Sequence, residues 1–349
     1  MIGDSIQQIS EIPLPPLSVL DQSVACVGKP HGDSIRNTLA LAKRCENLGY
    51  ARFWLSEHHN HPSIVGTAPE VLMAAVAATT ARIRIGSAGV MLPHYAPLKV
   101  AEQFRVLEAL APGRIDLGLG RAPGSDGITA FALNPLADKR PDQFPGDVRD
   151  LMDWVNGRSL IQNHPFAQVQ AFPKGDTAPE VWMLGSSDYG ARVAAYFGLP
   201  YCFAWFFTEG RGAIEAFQLY RDGYKPNERH PKPHSAVCVW ALAADTAEEA
   251  RRQFASRAKW RLYRDRGEFL PLETPEAAAA HPYTESEKAR LGGYYDTAFI
   301  GTAPEVGDKL RALAESLGID EIAVVTWAHD DRVQWRSFEL LAQEFGMVG

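Results

Sequence analysis

Three imidazoles and one carboxylate follow the second apolar run of the chain. Within five positions the sequence carries Glu57, His58, His59 and His61. Neutral histidine binds zinc or iron, so these residues could form a metal site with the more distant His94. A single histidine that transfers protons or hydrogen-bonds a ligand is the better-supported hypothesis, because neighbouring side chains point apart along an extended chain and imidazole titrates near neutrality. Polar residues on a surface loop are the remaining interpretation, and we assign no metal ligand.

Small residues interrupt the third apolar run, at Gly86-Ser87-Ala88-Gly89. Ala88 and Gly89 would let a flat ligand approach the backbone closely, or they mark a β-bulge. Close packing against a helix would need the same residue types. The sequence leaves these three interpretations open.

A guanidinium follows the fourth apolar run, where Gly120 precedes Arg121. At the carboxyl end of a parallel strand, Arg121 would present a planar fork of donors that suits a phosphate. Gly118, Gly120 and Gly124 resemble a dinucleotide-binding fingerprint, but Arg-Ala-Pro separates the last two and no helix begins at the third glycine. The segment therefore offers a guanidinium that suits a phosphate, and it argues against a Rossmann site.

Hydroxyl side chains lie where the fifth apolar run leads into a predicted helix. The run continues through Gly185, Ser186, Ser187 and Asp188. Amide N–H groups at a helix start, together with serine hydroxyls, make a phosphate cradle. Plain helix capping by Ser187 or Asp188 needs no ligand and explains the same residues equally well.

Five aromatic residues lie at the end of the sixth apolar run. They are Tyr201, Phe203, Trp205, Phe206 and Phe207. Some can belong to the core, and any that face the site would suit an apolar substrate.

Eight β-rich runs alternate with helical patterns, which is typical of parallel βαβ units. We predict strands at 17–21, 51–55, 83–89, 115–120, 181–184, 201–204, 236–242 and 322–326. In a (β/α)8 barrel the reactive groups lie at the carboxyl ends of the strands, which is where the segments above are found. The sequence therefore predicts an α/β fold, a single TIM-barrel domain over 1–349.

Helix signals support this arrangement. Apolar residues at helical spacing over 35–48 predict a helix that ends at Gly49. Thr67 with Glu70, and Thr302 with Glu305, predict capping boxes, the first of them opening a helix from 68 to about 80.

A long irregular segment, 263–295, contains Pro, Gly, Glu and an alanine run. Long excursions in a barrel usually extend a βα loop, so we predict an insertion in a late βα loop that acts as a lid over the site. An inert insertion is the alternative. The segment 134–144 is a second irregular connection.

Composition excludes several classes of function. The net charge of −7 and the absence of basic runs argue against a sequence-independent nucleic-acid binder. No apolar stretch is long enough for a membrane span, and the N-terminus lacks the pattern of a signal peptide. Four widely scattered cysteines suggest no disulfide framework, so we expect a reducing cytoplasm.

The order of the motifs resembles the luciferase-like flavin monooxygenases, in the branch close to the alpha subunit of bacterial luciferase. The motifs are WLSEHH, GSAGVMLPHYAPLKVAEQ, GRIDLGLGRAPG and LGSS, with DEIAVVTW similar to the last strand of that family. The resemblance covers about 17–207 and the closing strand. Four motifs in the right order make it specific.

The resemblance implies that the enzyme uses reduced FMN and molecular oxygen on a small organic substrate. It implies a separate NAD(P)H-dependent flavin reductase and a homodimer as well. His58 matches the histidine that assists oxygen chemistry at the flavin and later proton transfers, and Ala88-Gly89 matches a pair joined by a non-prolyl cis peptide beneath the flavin ring. The residues that match the FMN phosphate site are Arg121, Gly185, Ser186 and Ser187.

Three departures limit the resemblance. Gly120 replaces the reactive cysteine of the light-emitting enzyme, Gly185 replaces an acidic residue, and Tyr189 stands where a small hydroxyl is expected. Light emission and an aldehyde substrate are therefore not implied. Open alternatives are a deazaflavin-dependent oxidoreductase on the same fold, a metal-dependent barrel hydrolase and a flavin-binding relative without turnover.

Overall fold

The computed structural model describes residues 14–136 and 143–347. Its strands are β1 Leu17–Asp21, β2 Arg52–Leu55, β3 Arg84–Met91, β4 Ile115–Gly120, β5 Glu180–Gly185, β6 Tyr201–Ala204, β7 Ser235–Ala243, β8 Phe299–Gly301 and β9 Glu321–Val325. All ladders between them are parallel. Strands β1 to β7 and β9 close into an eight-stranded barrel through the β6–β7 pair, which confirms the predicted TIM barrel.

Helices surround this barrel. In the described residues they are α1 His31–Asn47, α2 Pro69–Ala77, α3 Pro97–Leu110, α4 Gly127–Leu133, α5 Phe144–Val155, α6 Asp188–Phe197, α7 Trp205–Thr208, α8 Ala213–Gly223, α9 Ala247–Arg264, α10 Pro275–Ala279, α11 Glu285–Thr297, α12 Ala303–Leu317 and α13 Asp331–Glu344. None of these described helices is long and apolar enough to cross a membrane.

The eight predicted strands are all present, with ends within two residues of those predicted. The short strand β8 was not predicted. It has three residues and pairs with the end of β7 outside the closed barrel. A run this short carries no alternation that a sequence pattern can detect.

The two predicted capping boxes have different outcomes. Thr302 and Glu305 form the box at the start of α12, as predicted. The box at Thr67 is wrong, because α2 begins after Ala68 and no side chain caps it. Glu70 instead accepts a hydrogen bond from Gln103 Nε2 on α3 (3.3 Å), so a tertiary partner replaces the local one. The helix also ends three residues earlier than predicted, at Ala77.

An ionic cluster occupies the amino-terminal end of the barrel. Arg52 donates to Asp116 (2.9 Å), Glu321 (3.0 Å) and Glu180 (3.0 Å), three carboxylates from three other strands. Its guanidinium also lies 4.7 Å from the ring centroid of Trp182. In barrels this end serves stability, so the chemistry is expected at the opposite end.

The connection between β7 and β8 is a long excursion of the fold. It contains α9, α10 and α11, so the predicted insertion at 263–295 forms its later part. Leu272 accepts from Val27 N (2.9 Å) and donates its own N–H to Ala25 (2.8 Å), while Ser63 Oγ donates to Leu270 (2.6 Å). The excursion therefore lies against the loops that follow β1 and β2, at the carboxyl-terminal face. Of the second irregular connection, 134–144, residues 137–142 lie outside the described ranges.

Candidate active site

A cavity of about 250 Å³ opens among the carboxyl-terminal ends of the strands. Every site residue predicted from the sequence contributes to its lining: His58, Ala88, Gly89, Arg121, Gly185, Ser186 and Ser187. These residues come from β3, β5 and the segments that follow β2, β4 and β5. The fold thus brings four separate sequence motifs to one concave surface.

His58 lies on the wall of this cavity with its ring largely buried. Burial and the charges of the nearby His61 and His59 lower the pKa of His58 to about 3. The imidazole is therefore neutral at physiological pH, with one nitrogen that donates and one that accepts. Its buried Nδ1 has no hydrogen-bond partner among the described residues. An unpaired buried polar atom is costly, so a hydrogen-bond partner supplied by a ligand would stabilise this part of the site.

The other members of the histidine motif have different partners. His59 Nε2 lies 2.8 Å from Glu57 Oε1, and Glu57 also accepts from the Tyr95 hydroxyl (2.6 Å) and from Met91 N (3.2 Å). Glu57 is 1% exposed. Its carboxylate therefore ties the end of β2 to the end of β3, which fixes the backbone that carries His58.

The metal hypothesis required these histidines and Glu57 to converge with His94. His94 Nε2 instead contacts the carbonyl of Pro123 at 2.7 Å. Among residues 14–136 and 143–347, no three His, Cys, Asp or Glu side chains are placed to share an ion. The arrangement of donors does not support a metal-dependent hydrolase.

The small residues at the end of β3 meet the neighbouring strand. The β3–β4 register shifts between Ser87 and Val90, as the β-bulge interpretation requires. The peptide bond between Ala88 and Gly89 is cis, as the resemblance implied. A Cβ atom on Gly89 would lie 2.7 Å from Gly118 O and 2.8 Å from Leu184 Cδ1, so no side chain fits there. The close packing is thus between strands and not against a helix, and both Ala88 and Gly89 line the cavity.

Arg121 lies at the rim of the cavity with an exposed side chain. Its Cζ atom is 3.9 Å from the ring centroid of Tyr189. No carboxylate within the described ranges pairs with it. A guanidinium held by an aromatic face keeps its edge N–H groups free for an anion.

The start of α6 lies beside Arg121, because Tyr189 belongs to the first turn of that helix. Ser187 is its N-cap residue, but no side-chain cap hydrogen bond forms there. Asp188 is exposed and lies near Arg192 (3.7 Å). The capping interpretation is therefore wrong. First-turn N–H groups have no acceptor within their own helix, so together with the hydroxyls of Ser186 and Ser187 they are donors that could hold an anion here.

The aromatic cluster of the sixth strand divides into two groups. Tyr201 and Phe203 are fully buried in the core outside the cavity, and Trp205 packs against the same core. Phe206 and Phe207 line the cavity, with ring centroids 4.3 Å apart. An apolar substrate could contact these two rings.

Sequence reasoning missed several lining residues. Gln22 and Trp54 lie on the cavity wall, and Gln22 Oε1 accepts from Trp327 Nε1 (3.0 Å). Gln22 directly follows β1, so the rule that identified Arg121 after β4 would have found it. Tyr189 was noted only as a departure from the resembling family, and its contact with Arg121 needed the tertiary structure.

Comparison with known proteins identifies the family. The family model of luciferase-like monooxygenases matches residues 18–321. The protein YwcH of Bacillus subtilis (strain 168) is 41% identical over 332 residues, which cover 94% of this chain and 98% of YwcH. A luciferase-like monooxygenase of Escherichia coli (strain K12) is 38% identical over 323 residues, with 93% and 95% covered. N-acetyl-S-alkylcysteine monooxygenase of Bacillus subtilis (strain 168) is 34% identical over 326 residues, with 93% and 97% covered.

Solved structures agree with this result. The crystal structure of apo-MsnO8 superposes with a TM-score of 0.86 at 33% identity and covers 96% of this chain and 98% of that one. The oxygenating constituent of 3,6-diketocamphane monooxygenase from Pseudomonas putida, in complex with FMN, shares the fold at 18% identity (TM-score 0.70; 95% and 98% covered). An F420-dependent secondary alcohol dehydrogenase shares it at 15% identity (TM-score 0.64; 96% and 99% covered). The chain therefore belongs to the luciferase-like monooxygenase family of oxidoreductases.

Proposed function

We propose that the protein is an FMN-dependent monooxygenase that uses reduced FMN and molecular oxygen on a small organic substrate. The observation that carries this proposal is the pairing, at one cavity, of an anion cradle with a buried neutral histidine. Arg121 and the start of α6 form the cradle, and His58 lies inside the cavity. The two parts match the phosphate end and the reactive end of a phosphorylated flavin.

The phosphate of FMN would bind at the rim. Arg121 would donate to it from the free edge of its guanidinium, and Ser186, Ser187 and the first amides of α6 would complete its hydrogen bonds. Gly185 leaves this corner open, since a Cβ atom there would meet only Gly190 Cα, at 3.9 Å. These residues would fix the orientation of the whole cofactor, because charge-assisted bonds are the strongest contacts available to it.

The wall at Ala88 and Gly89 would support the flavin ring. When bound, the reduced flavin supplies the electrons that activate oxygen. His58 would hold or move a proton at its free Nδ1, which needs no prior partner to be displaced. Phe206 and Phe207 would exclude water from the substrate side.

The segment 263–295 would act as a cover for this face. It contributes no residue to the lining of the main cavity, but Phe269 lies 4.6 Å from His61, ring centroid to centroid. His61 in turn lies 5.6 Å from His58. The cover would therefore restrict water on the side of His58 through these packed rings.

A deazaflavin-dependent oxidoreductase is the second candidate. Relatives of this fold bind FMN in one case and F420 in another, so the fold does not decide between the two cofactors. The family match to monooxygenases favours FMN with oxygen. A hydride transfer that proceeds without oxygen would favour the deazaflavin.

The partners of the enzyme follow from this proposal. A separate NAD(P)H-dependent flavin reductase would supply reduced FMN. A homodimer is supported by the exposed apolar residues Val71, Val106 and Leu110 on the adjacent helices α2 and α3. The four cysteines are all buried and unpaired, which is compatible with the reducing cytoplasm that we propose as its location.

An anaerobic titration with reduced FMN tests the function. Flavin absorbance and fluorescence would be followed until binding saturates, and the complex would then be mixed with oxygenated buffer. We expect saturable binding and reoxidation with kinetics that differ from those of free reduced FMN and change in His58→Ala. Failure to bind reduced FMN, with binding of reduced F420 instead, would overturn the proposal in favour of the second candidate.

A further inference from the structure

A buried arginine that the proposed chemistry does not use lies on α9. Arg257 is only 4% exposed. Its Nε and Nη1 atoms have no hydrogen-bond partner in the described part of the chain. Buried guanidinium groups are normally paired, because an unpaired buried charge is strongly unfavourable.

Three tryptophans hold this guanidinium by their faces. Its Cζ atom lies 4.3 Å from the ring centroids of both Trp260 and Trp327, and 5.9 Å from that of Trp240. Cation–π contacts stabilise the charge but accept no hydrogen bond from the N–H groups at its edge. The orientation of the side chain is therefore fixed while Nε and Nη1 remain without an acceptor among the described residues.

A second, smaller cavity lies beside these donors. Its volume is about 20 Å³, the space of about one water-sized group. Arg257, Arg261, Trp240 and Phe206 are among the residues that line it. Trp240 Nε1 and Arg261 Nε are buried and also without an acceptor among the described residues. Three residues of the lining thus carry donors without an acceptor, while Glu209, a carboxylate that also lines this cavity, is paired with Arg261.

The nearby carboxylates are already paired with other arginines. Glu209 lies 2.9 Å from Arg261, and Asp265 pairs with Arg264 (2.9 Å) and Arg290 (2.7 Å). Burial and the charges of Arg264 and Arg261 hold the pKa of Arg257 well below its ordinary value. Four arginines and two carboxylates are gathered here, so positive charge is in excess.

The two cavities share a wall. Phe206 lines both of them, and its partner Phe207 is half exposed at the main cavity. A change in the Phe206 rotamer would join the small cavity to the substrate side of the main one.

We propose that Arg257 binds a carboxylate of the substrate, whose apolar part extends past Phe206 towards the reactive end of the main cavity. Such substrates would be small apolar acids. The inference rests on the proposed function, since it assumes that the main cavity holds the reacting group. Trp240 Nε1 and Arg261 Nε would supply further donors to the same carboxylate.

Calorimetric titration with octanoate, octanamide and acetate tests this inference, with oxidised FMN present. The amide keeps the chain and removes the charge, whereas acetate keeps the charge and removes the chain. We expect octanoate to bind about tenfold or more tightly than either control, because a charge-assisted hydrogen bond contributes about that factor. Quenching of tryptophan fluorescence should accompany binding, since three tryptophans surround Arg257.

The variants Arg257→Met and Arg257→Lys identify the residue responsible. Methionine should remove the preference for octanoate, and lysine should retain part of it. Arg251→Gln is the matched control, because it removes an exposed charge from the same helix. If Arg257→Met does not fold, Arg257→Lys and the wild-type comparison of acid with amide still decide the matter.

Several results would overturn the inference. They are equal binding of octanoate and octanamide, equal binding of acetate and octanoate, and unchanged octanoate binding in Arg257→Met. The first would mean that buried water satisfies the guanidinium, and the second that the site takes free anions only. FMN binding is recorded in the same samples, so failure of the proposed function would appear as loss of FMN binding in the wild type, independently of the acid series.

Discussion

The guanidinium of Arg121 stacks on the ring of Tyr189, with 3.9 Å between Cζ and the ring centroid. A residue that follows β4 is thereby held against the first turn of α6. The contact joins the charge of the arginine to the free amides of the helix start. Tyrosine at this position, a departure from the resembling family, thus has a structural role beside the proposed phosphate site.

Replacement of Tyr189 tests this contact. Tyr189→Ala should weaken FMN binding by about twofold to fivefold, because an exposed cation–π contact contributes about 0.5–1 kcal/mol. Tyr189→Phe keeps the aromatic face and should bind FMN like the wild type. Titration of flavin fluorescence measures both. If phenylalanine proved as harmful as alanine, the hydroxyl and not the ring would be responsible.

The buried state of His58 predicts a loss of stability in acid. Burial lowers its pKa from 6.5 to about 3, so between these values the unfolded chain binds a proton that the folded protein does not. The free energy of unfolding should therefore fall as the pH falls through this range, by about 1.4 kcal/mol per pH unit from this group. When the pH falls from about 7.5 to about 5, the free energy of unfolding of His58→Gln should decrease by roughly 2 kcal/mol less than that of the wild type.

Urea unfolding at the two pH values measures this difference. The exposed His31, at the start of α1, provides a control, and His31→Gln should keep the wild-type dependence. Identical pH dependence in His58→Gln and the wild type would show that His58 is not held neutral by burial.

Gly118 tests the close approach of β3 and β4. A Cβ atom there would collide with the carbonyl oxygen of Ser87 and lie 2.7 Å from Leu184 Cδ1. Gly118→Ala should therefore destabilise the protein by about 1–3 kcal/mol, the usual cost of overpacking. Gly292, inside α11, has no atom within 4 Å of such a Cβ, so Gly292→Ala should stabilise by up to about 1 kcal/mol. Thermal unfolding that ranked the two variants in the opposite order would contradict this account of the strand packing.

If the segment 263–295 covers the site, loosening its packing should increase the release of hydrogen peroxide. Phe269→Ala removes the ring that packs against His61 and should increase the hydrogen peroxide released when the complex with reduced FMN meets oxygen. A peroxidase-coupled assay measures the release. Phe166→Ala is the control, because Phe166 is exposed in the connection between α5 and β5 and should leave the release unchanged. Equal release in the wild type and Phe269→Ala would argue against a protective role.

The sequence predicted the barrel well because its strands are short, largely apolar runs between helices. Leu17–Asp21 and Tyr201–Ala204, for example, match the observed strands β1 and β6 in full. The rule that reactive groups follow barrel strands then predicted that His58, Arg121 and Ser186 lie at the same end of the barrel. All three line one cavity. Local patterns were sufficient here because each motif lies at the end of its own strand or directly after it in the sequence.

Tertiary contacts account for what the sequence did not provide. Glu70 bonds to α3 instead of closing a capping box, and Gly118 is required by a neighbouring strand that no local pattern identifies. Arg257 was not singled out, because a charged residue on a helix ordinarily indicates an exposed face. Its burial among tryptophans from β7, α9 and the end of β9 depends on residues far apart in the chain.

Binding of FMN and riboflavin to Arg121→Gln tests the central claim most directly. The two ligands differ only in the phosphate, and flavin fluorescence reports both. We predict that Arg121→Gln lowers the affinity for FMN about tenfold or more and leaves that for riboflavin unchanged, because only the charge-assisted contact to the phosphate is lost. The control Arg192→Gln, an exposed arginine on α6, should keep the wild-type preference for FMN. Wild-type FMN affinity in Arg121→Gln, or an equal loss for both ligands, would contradict the assignment of this corner as the phosphate site.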